Sequence, residues 1–284
     1  MLQSPSITNW LGDVEPVWTL LTPASFMLLR RPPGSAASPI AIAQDLTADE
    51  IERSPVARNT LILLREAALK PGLKLTATGN LSRETVGRML DTFTWPGFTK
   101  ADAFALNKVV NEPDFPALFF LRNVAQALKL LRPYRGYLKI TPAGRSVLEE
   151  PGAVQALLFR ATFWQLDLSA FFGRGLHGSW PQCDVGVVLW SLSLTARDWQ
   201  SPERLARLCT VPHDGVLTTQ WDSASMATEA TILRPLWWFG LLEHRAEDIP
   251  GSRHGRRYFY RKTPLFDRLL SFDVTIEANT DARH

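Results

Sequence analysis

Basic side chains gather at two places in this chain where turn residues also occur. Arg132, Arg135 and Lys139 surround the dipeptide Arg135-Gly136. Arg253, Arg256, Arg257, Arg261 and Lys262, with His254, surround the loop Ile249 to Arg256. Arg and Lys on a projecting hairpin neutralise phosphates, a contact that dominates affinity for nucleic acid and weakens with salt. The helix ahead of such a hairpin would then serve as the groove reader. Ahead of the first hairpin it offers Arg122, Asn123, Gln126 and Lys129, whose donors and acceptors suit base edges. Ahead of the second it offers Thr228, Glu229 and Thr231, a poorer set. The competing reading is that basic hairpin tips keep a sheet edge solvated.

Formal net charge is only +3, too small to name a polyanion partner by itself. Its distribution says more. Thr231 to Phe272 holds eight Lys or Arg against four Asp or Glu, an excess of 8 − 4 = +4 that leaves the rest slightly acidic. On charge alone the second hairpin is the stronger candidate.

Other candidate chemistry is weak. Gly173 to Gly178 fits G-x-G-x-x-G, but a dinucleotide site needs a strand before it and a helix after it. Here a helix precedes and Trp180-Pro181 follows, so the stretch reads as a glycine loop. His177, Cys183, Cys209 and His213 could be imagined as zinc ligands, yet the first pair forms no compact clip. Two buried structural thiols are the preferred reading. There is no nucleophile elbow, Walker loop or paired-His motif. The expectation is therefore no catalysis, no metal and no cofactor.

The elements that would position the basic residues can be read from pattern. Ala117 to Lys129 is apolar at helical spacing, through Leu118, Leu121, Val124, Ala125 and Leu128. Leu130 to Tyr134 and Tyr137 to Ile140 are strand-like around the Arg135-Gly136 turn. Thr141-Pro142 opens a helix, with Thr as cap and Pro in the first turn. Ile232 to Phe272 repeats this grammar. Leu241-Leu242 match Leu130-Leu131, Tyr258 to Arg261 match Gly136 to Lys139, and Thr263-Pro264 match Thr141-Pro142. Such a repeat implies two copies of one small domain. The aromatic clusters Trp237-Trp238-Phe239 and Tyr258-Phe259-Tyr260 read as core and cross-strand packing.

Upstream, Met1 to Ala43 shows no sustained period and reads as an arm. Thr47 to Glu50 is a capping-box pattern, so a short helix precedes Pro55. Val56 to Leu69 is a helix, Leu73 to Thr76 a short strand, and Ser82 caps a helix to about Thr92, with Leu81 and Val86 placed as a staple. Downstream, helices are expected over Gly152 to Phe172, Val185 to Leu194, Ser201 to Leu208 and Ala224 to Phe239. Ile276 to His284 reads as a frayed tail.

Asp45 to Pro55 (DLTADEIERSP), Gly72 to Leu81 (GLKLTATGNL), Asp114 to Leu131 and Leu138 to Arg145 (LKITPAGR) together resemble a bacterial region of uncharacterised function, known from plasmid pRiA4b ORF-3-like proteins and stand-alone hypothetical proteins. The resemblance covers roughly Gln44 to Pro151, and the Tyr-Asp-Phe-Gly-Asp type motif of the ORF-3 domain itself is missing. It implies a winged-helix-like fold and brings no activity with it.

A length of 284 residues fits roughly two domains, and 45% hydrophobic with 21% charged residues describes an ordinary globular chain. No run is long enough to span a membrane, no secretory signal is visible, and two cysteines make no disulfide framework. The expected fold is mainly α with short β-hairpins: an arm (1–43), two tandem winged-helix-like domains (44–151 and 152–275) and a tail (276–284). The expected function is a bacterial, cytoplasmic nucleic-acid-binding or regulatory adaptor protein, with duplex DNA as partner and no membrane. The alternative is a protein-protein interaction scaffold of the same fold.

Overall fold

The computed structural model describes residues 4–173, 177–217, 222–249 and 255–277. It is mainly helical with small antiparallel sheets. The strands among the described residues are β1 (Ile40–Ile42), β2 (Leu73–Lys74), β3 (Leu131–Tyr134), β4 (Tyr137–Ile140), β5 (Leu242–Asp248), β6 (Arg256–Lys262) and β7 (Leu270–Phe272). They form the sheets β1-β7, β2-β4-β3 and β5-β6. The chain divides into two compact units. Named by sequence order alone, the inner unit holds Gln44–Thr162 with Trp238–Gly240, and the outer unit holds the flanking segments Met1–Ala43, Phe163–Trp237 and Leu241–His284.

The inner unit is built on the helix Pro55–Ala68. Ser54 caps it by accepting from the Ala57 N–H, and Pro55 occupies the first turn, where a missing N–H costs nothing. Val56, Ala57, Leu61, Leu64 and Ala67 form its buried face. Further caps start the next elements: Thr47 and Glu50 make the reciprocal box on Ala48–Glu52, and Ser82 starts Arg83–Thr92. A helix that the sequence reading passed over, Lys100–Leu106, is opened by a second box between Thr99 and Asp102. The helix Pro116–Ala127 then leads to β3, a two-residue turn with Arg135 and Gly136 at φ of 49° and 78°, and β4. Left-handed values at both turn residues match the twist of a tight hairpin. Thr141 caps Pro142–Glu149.

In the outer unit, Val185–Thr195 is buried on every side from Val185 to Leu192, as its nearly all-apolar sequence requires. Pro202–Cys209 follows. Ser223–Thr228 then continues through a π-turn, Glu229–Leu233, into Arg234–Trp238 and the β5-β6 hairpin. The first 43 residues contain two short helices, Pro5–Leu11 and Pro23–Leu29, and the strand β1. They are tied to their unit by Trp18, whose indole N–H donates to Thr210 O at 2.8 Å, and by the antiparallel β1-β7 pairing. Ile276 and Glu277, expected to fray, pair with Leu21 and Leu20; residues 278–284 lie outside the described residues. The helix expected over Gly152 to Phe172 instead ends at Trp164. The Gln182 amide explains the break: it donates to Phe163 O and Leu166 O, and its oxygen accepts from the Leu168 N–H. Main-chain groups released by the broken helix are thereby satisfied.

The matched residues of the two halves make the same backbone bonds. Leu130 N–H donates to Ala125 O at 2.8 Å, and Leu241 N–H to Leu236 O at 2.9 Å. Thr141 N–H reaches Leu130 O at 3.0 Å, and Thr263 N–H reaches Leu241 O at 2.9 Å. The residue ahead of each leucine, Lys129 or Gly240, is left-handed. Leu138 pairs with Leu73 of β2, and its counterpart Tyr260 makes a β-bridge to Gln200.

Candidate nucleic-acid interface

Strand alternation sorts the first hairpin into two faces. Leu131, Leu138 and Ile140 are buried with Leu73 of β2. On the other side the register sets Arg132 opposite Lys139, and Tyr137 between Tyr134 and Lys74. Tyr134 is 41% exposed. The charged ends of Arg132, Arg135 and Lys139 lie 5.5, 5.2 and 5.1 Å from its ring centre. Among the described residues, none of Lys74, Arg132, Arg135 and Lys139 forms an ion pair. A ring quadrupole attracts each cation weakly, while the cations repel one another; an anion relieves that repulsion.

The helix residues behave differently. Arg122 points into its own unit. It donates to Glu112 Oε2 at 2.5 Å, to Gln126 Oε1 at 2.8 Å and to Gly79 O at 2.7 Å. Glu112 is fully buried and also accepts the Leu81 N–H at 2.6 Å. Asn123 donates to Phe119 O at 2.7 Å. Arg122 and Gln126, placed by sequence on a reading surface, are thus already occupied inside the unit. Lys129 is exposed at the helix end.

The second hairpin is longer, and most of its cations are paired with carboxylates. Register sets Glu243 opposite Arg261, Glu247 opposite Arg257 and Asp248 opposite Arg256. Arg261 pairs with Glu243 at 2.6 Å, Arg256 with Asp248 at 3.3 Å, and Arg245 with Glu247 at 2.9 Å. Arg245 and Arg261 also approach the Trp199 ring, at 4.9 and 4.8 Å. Lys262 is nearly buried and donates to Ser193 O and Asp267. Arg257 is exposed; Arg253 and His254 lie outside the described residues. Arg245, Arg256, Arg261 and Lys262 are thus engaged by the same four acids that the count of +4 had already subtracted, so the excess persists but these side chains are not free to make it a contact surface. The acids on β5 sit at positions that sequence distance alone does not align.

Of the remaining candidates, His177 and His213 both pack against the Trp180 ring, 5.9 and 6.3 Å away centre to centre. Residues 174–176 of the glycine motif lie outside the described residues, and Gly173 ends a π-turn. Cys209 is buried beside the Thr195 hydroxyl at 3.2 Å, and burial pushes its thiol up to about 12. Cys183, expected to be buried, is exposed. Among the described residues no group of three or more His, Cys, Asp or Glu could hold a metal ion. None of their helices is long and apolar enough to cross a membrane. Trp238, Phe239 and Tyr260 are buried, as expected for core aromatics.

Residues 52–153 match the family model described as Y4jL N-terminal domain. Over 100 residues the chain is 36% identical to the uncharacterized protein y4jL of Sinorhizobium fredii, which is 35% of this chain and 46% of that relative. The chain thus spans less than half of the relative's length. No solved structure matches significantly. The similarity is to an uncharacterised bacterial family. It includes the first hairpin and stops short of the second.

Proposed function

We propose that the chain is a non-catalytic nucleic-acid-binding protein built from two winged helices, with the first hairpin as its principal contact. The winged-helix reading is supported by the sheet order β2-β4-β3, by the helices that precede and interleave those strands, and by the backbone bonds repeated in the second half. One observation carries the functional reading: Arg132, Arg135 and Lys139 converge on the exposed ring of Tyr134, and among the described residues no carboxylate pairs with them.

The test is fluorescence anisotropy of labelled DNA against the whole protein, from about 50 to about 200 mM salt. Binding should weaken steeply with salt. The triple variant Arg132→Ala, Arg135→Ala, Lys139→Ala should flatten the slope of log affinity against log salt, by about 0.9 for each lost contact to duplex phosphate. Arg256→Ala with Arg257→Ala should change it less. Absence of binding at the lowest salt would remove this reading in favour of a protein-interaction module.

A further inference from the structure

We propose that the outer face of the β2-β4-β3 sheet takes single-stranded nucleic acid, with bases stacked on Tyr134 and Tyr137 and phosphates held by Lys74, Arg132, Arg135 and Lys139. This rests on the nucleic-acid reading above and specifies its substrate.

The face is built by register. Lys74, Tyr137 and Tyr134 stand side by side across three strands, and Lys139 and Arg132 form the adjacent row. Arg135 extends the set at the turn. Every side chain in the two rows is aromatic or basic. Glycine at residue 72 lets the third strand approach this closely without strain. The φ of Gly72 is +106°, and a Cβ there would stand 2.9 Å from Leu138 O. That close approach brings Lys74 beside Tyr137.

An exposed ring on a sheet face is of little use to a duplex, whose bases stack on one another and offer only edges and phosphates. Unpaired bases present their faces, and stacking on aromatic side chains beside a cationic track is how unpaired strands are commonly held. The chain's own alternative, a helix reading a groove, is weakened because Arg122 and Gln126 are engaged with Glu112, Gly79 and each other. The tyrosines and the cations that form no ion pair among the described residues lie on the sheet and its turn instead.

The experiment compares labelled oligothymidylate, oligouridylate and a DNA duplex of equal length, each titrated with the whole protein at low salt. Single strands should bind more tightly than duplex. Tyr134→Ala and Tyr137→Ala should each weaken single-strand binding by roughly five- to a hundredfold, the loss of one stacked base, and leave duplex binding unchanged. Tyr134→Phe keeps the ring and should bind like the parent. The two oligonucleotides separate DNA from RNA as the source of the strand. Duplex binding as tight as single-strand binding overturns the inference, as does a Tyr134→Phe variant as weak as Tyr134→Ala. In either case, continued sensitivity to the Arg132, Arg135 and Lys139 substitutions leaves the broader reading standing. No binding to any of the three probes overturns both.

Discussion

Arg122 and Glu112 form an ion pair in which the carboxylate is fully buried and the guanidinium is 13% exposed. The same carboxylate accepts the Leu81 N–H, so it joins the turn ahead of one helix to the middle of another. Removing one partner of a buried pair strands the other charge, at a cost of about 3–5 kcal/mol. Glu112→Ala should therefore lower unfolding free energy by about that amount in a denaturant titration. Glu112→Gln, which keeps an acceptor for Leu81, should cost less. Equal stability of both variants and the parent would show that the pair contributes nothing to the fold.

Lys129 and Gly240 occupy matching left-handed positions, at φ of 56° and 72°. A side chain is strained in that region and glycine is not. Lys129→Gly should therefore raise stability by about 0.5–1 kcal/mol. Gly240→Ala should lower it by more than about 2 kcal/mol, because the added Cβ would also collide with Arg53 O. Thermal melts of the two variants, moving in opposite directions, check the correspondence between the halves.

His244 is held among aromatic rings, 4.3 Å from Trp237 and 5.2 Å from Tyr258, centre to centre. Burial lowers its pKa from the ordinary 6.5; Glu229 opposes the shift and Arg234 adds to it. Burial also lowers His177, with a contribution from His213. A histidine whose folded pKa is depressed takes its proton first in the unfolded chain. Stability is then unaffected well above pH 6.5 and falls as pH drops through 6.5 towards the folded value. His244→Phe keeps a ring in place and removes the titration. Its melting temperature should vary less than the parent's between pH 7.5 and pH 5.5. An unchanged pH profile would mean that His244 is protonated as readily in the fold as out of it.

The two thiols should separate by reactivity. Cys209 is buried and its thiol is raised to about 12, so it should not react with a thiol reagent in the native protein. Cys183 is exposed, but burial of its sulfur and the neighbouring Asp184 raise its thiol above the ordinary value. It should react slowly. One group titrated in the native state and two after denaturation is the expected count; two in the native state would place Cys209 at the surface.

Local chemistry was legible in the sequence. The caps at Thr47, Ser82 and Thr141, the Arg135-Gly136 turn and the Thr-Pro helix starts depend on residues a few positions apart, and each is found as read. The helix Lys100–Leu106 carried the same kind of signal in Thr99 and Asp102, and could have been found by it. What could not be read was pairing at a distance. Arg122 looks like a free base reader until Glu112 and Gly79 are brought to it. The arginines of β6 look like a positive patch until the register of a hairpin with a long loop sets Glu243, Glu247 and Asp248 against them. The first hairpin escapes this problem because its two-residue turn leaves one register, and no acid lies on either strand.

The pairing of β1 with β7 also orders events during synthesis. Nearly all of the inner unit has emerged from the ribosome while the outer unit still lacks most of its chain, since domains generally complete themselves from the N-terminus onward. Ile40 to Ile42 must then wait, edge unprotected, until residue 272 is made. A nascent chain halted after Gly240 but before that point would hold every residue of the inner unit and an unpaired β1, ready to pair with whatever strand reaches it first.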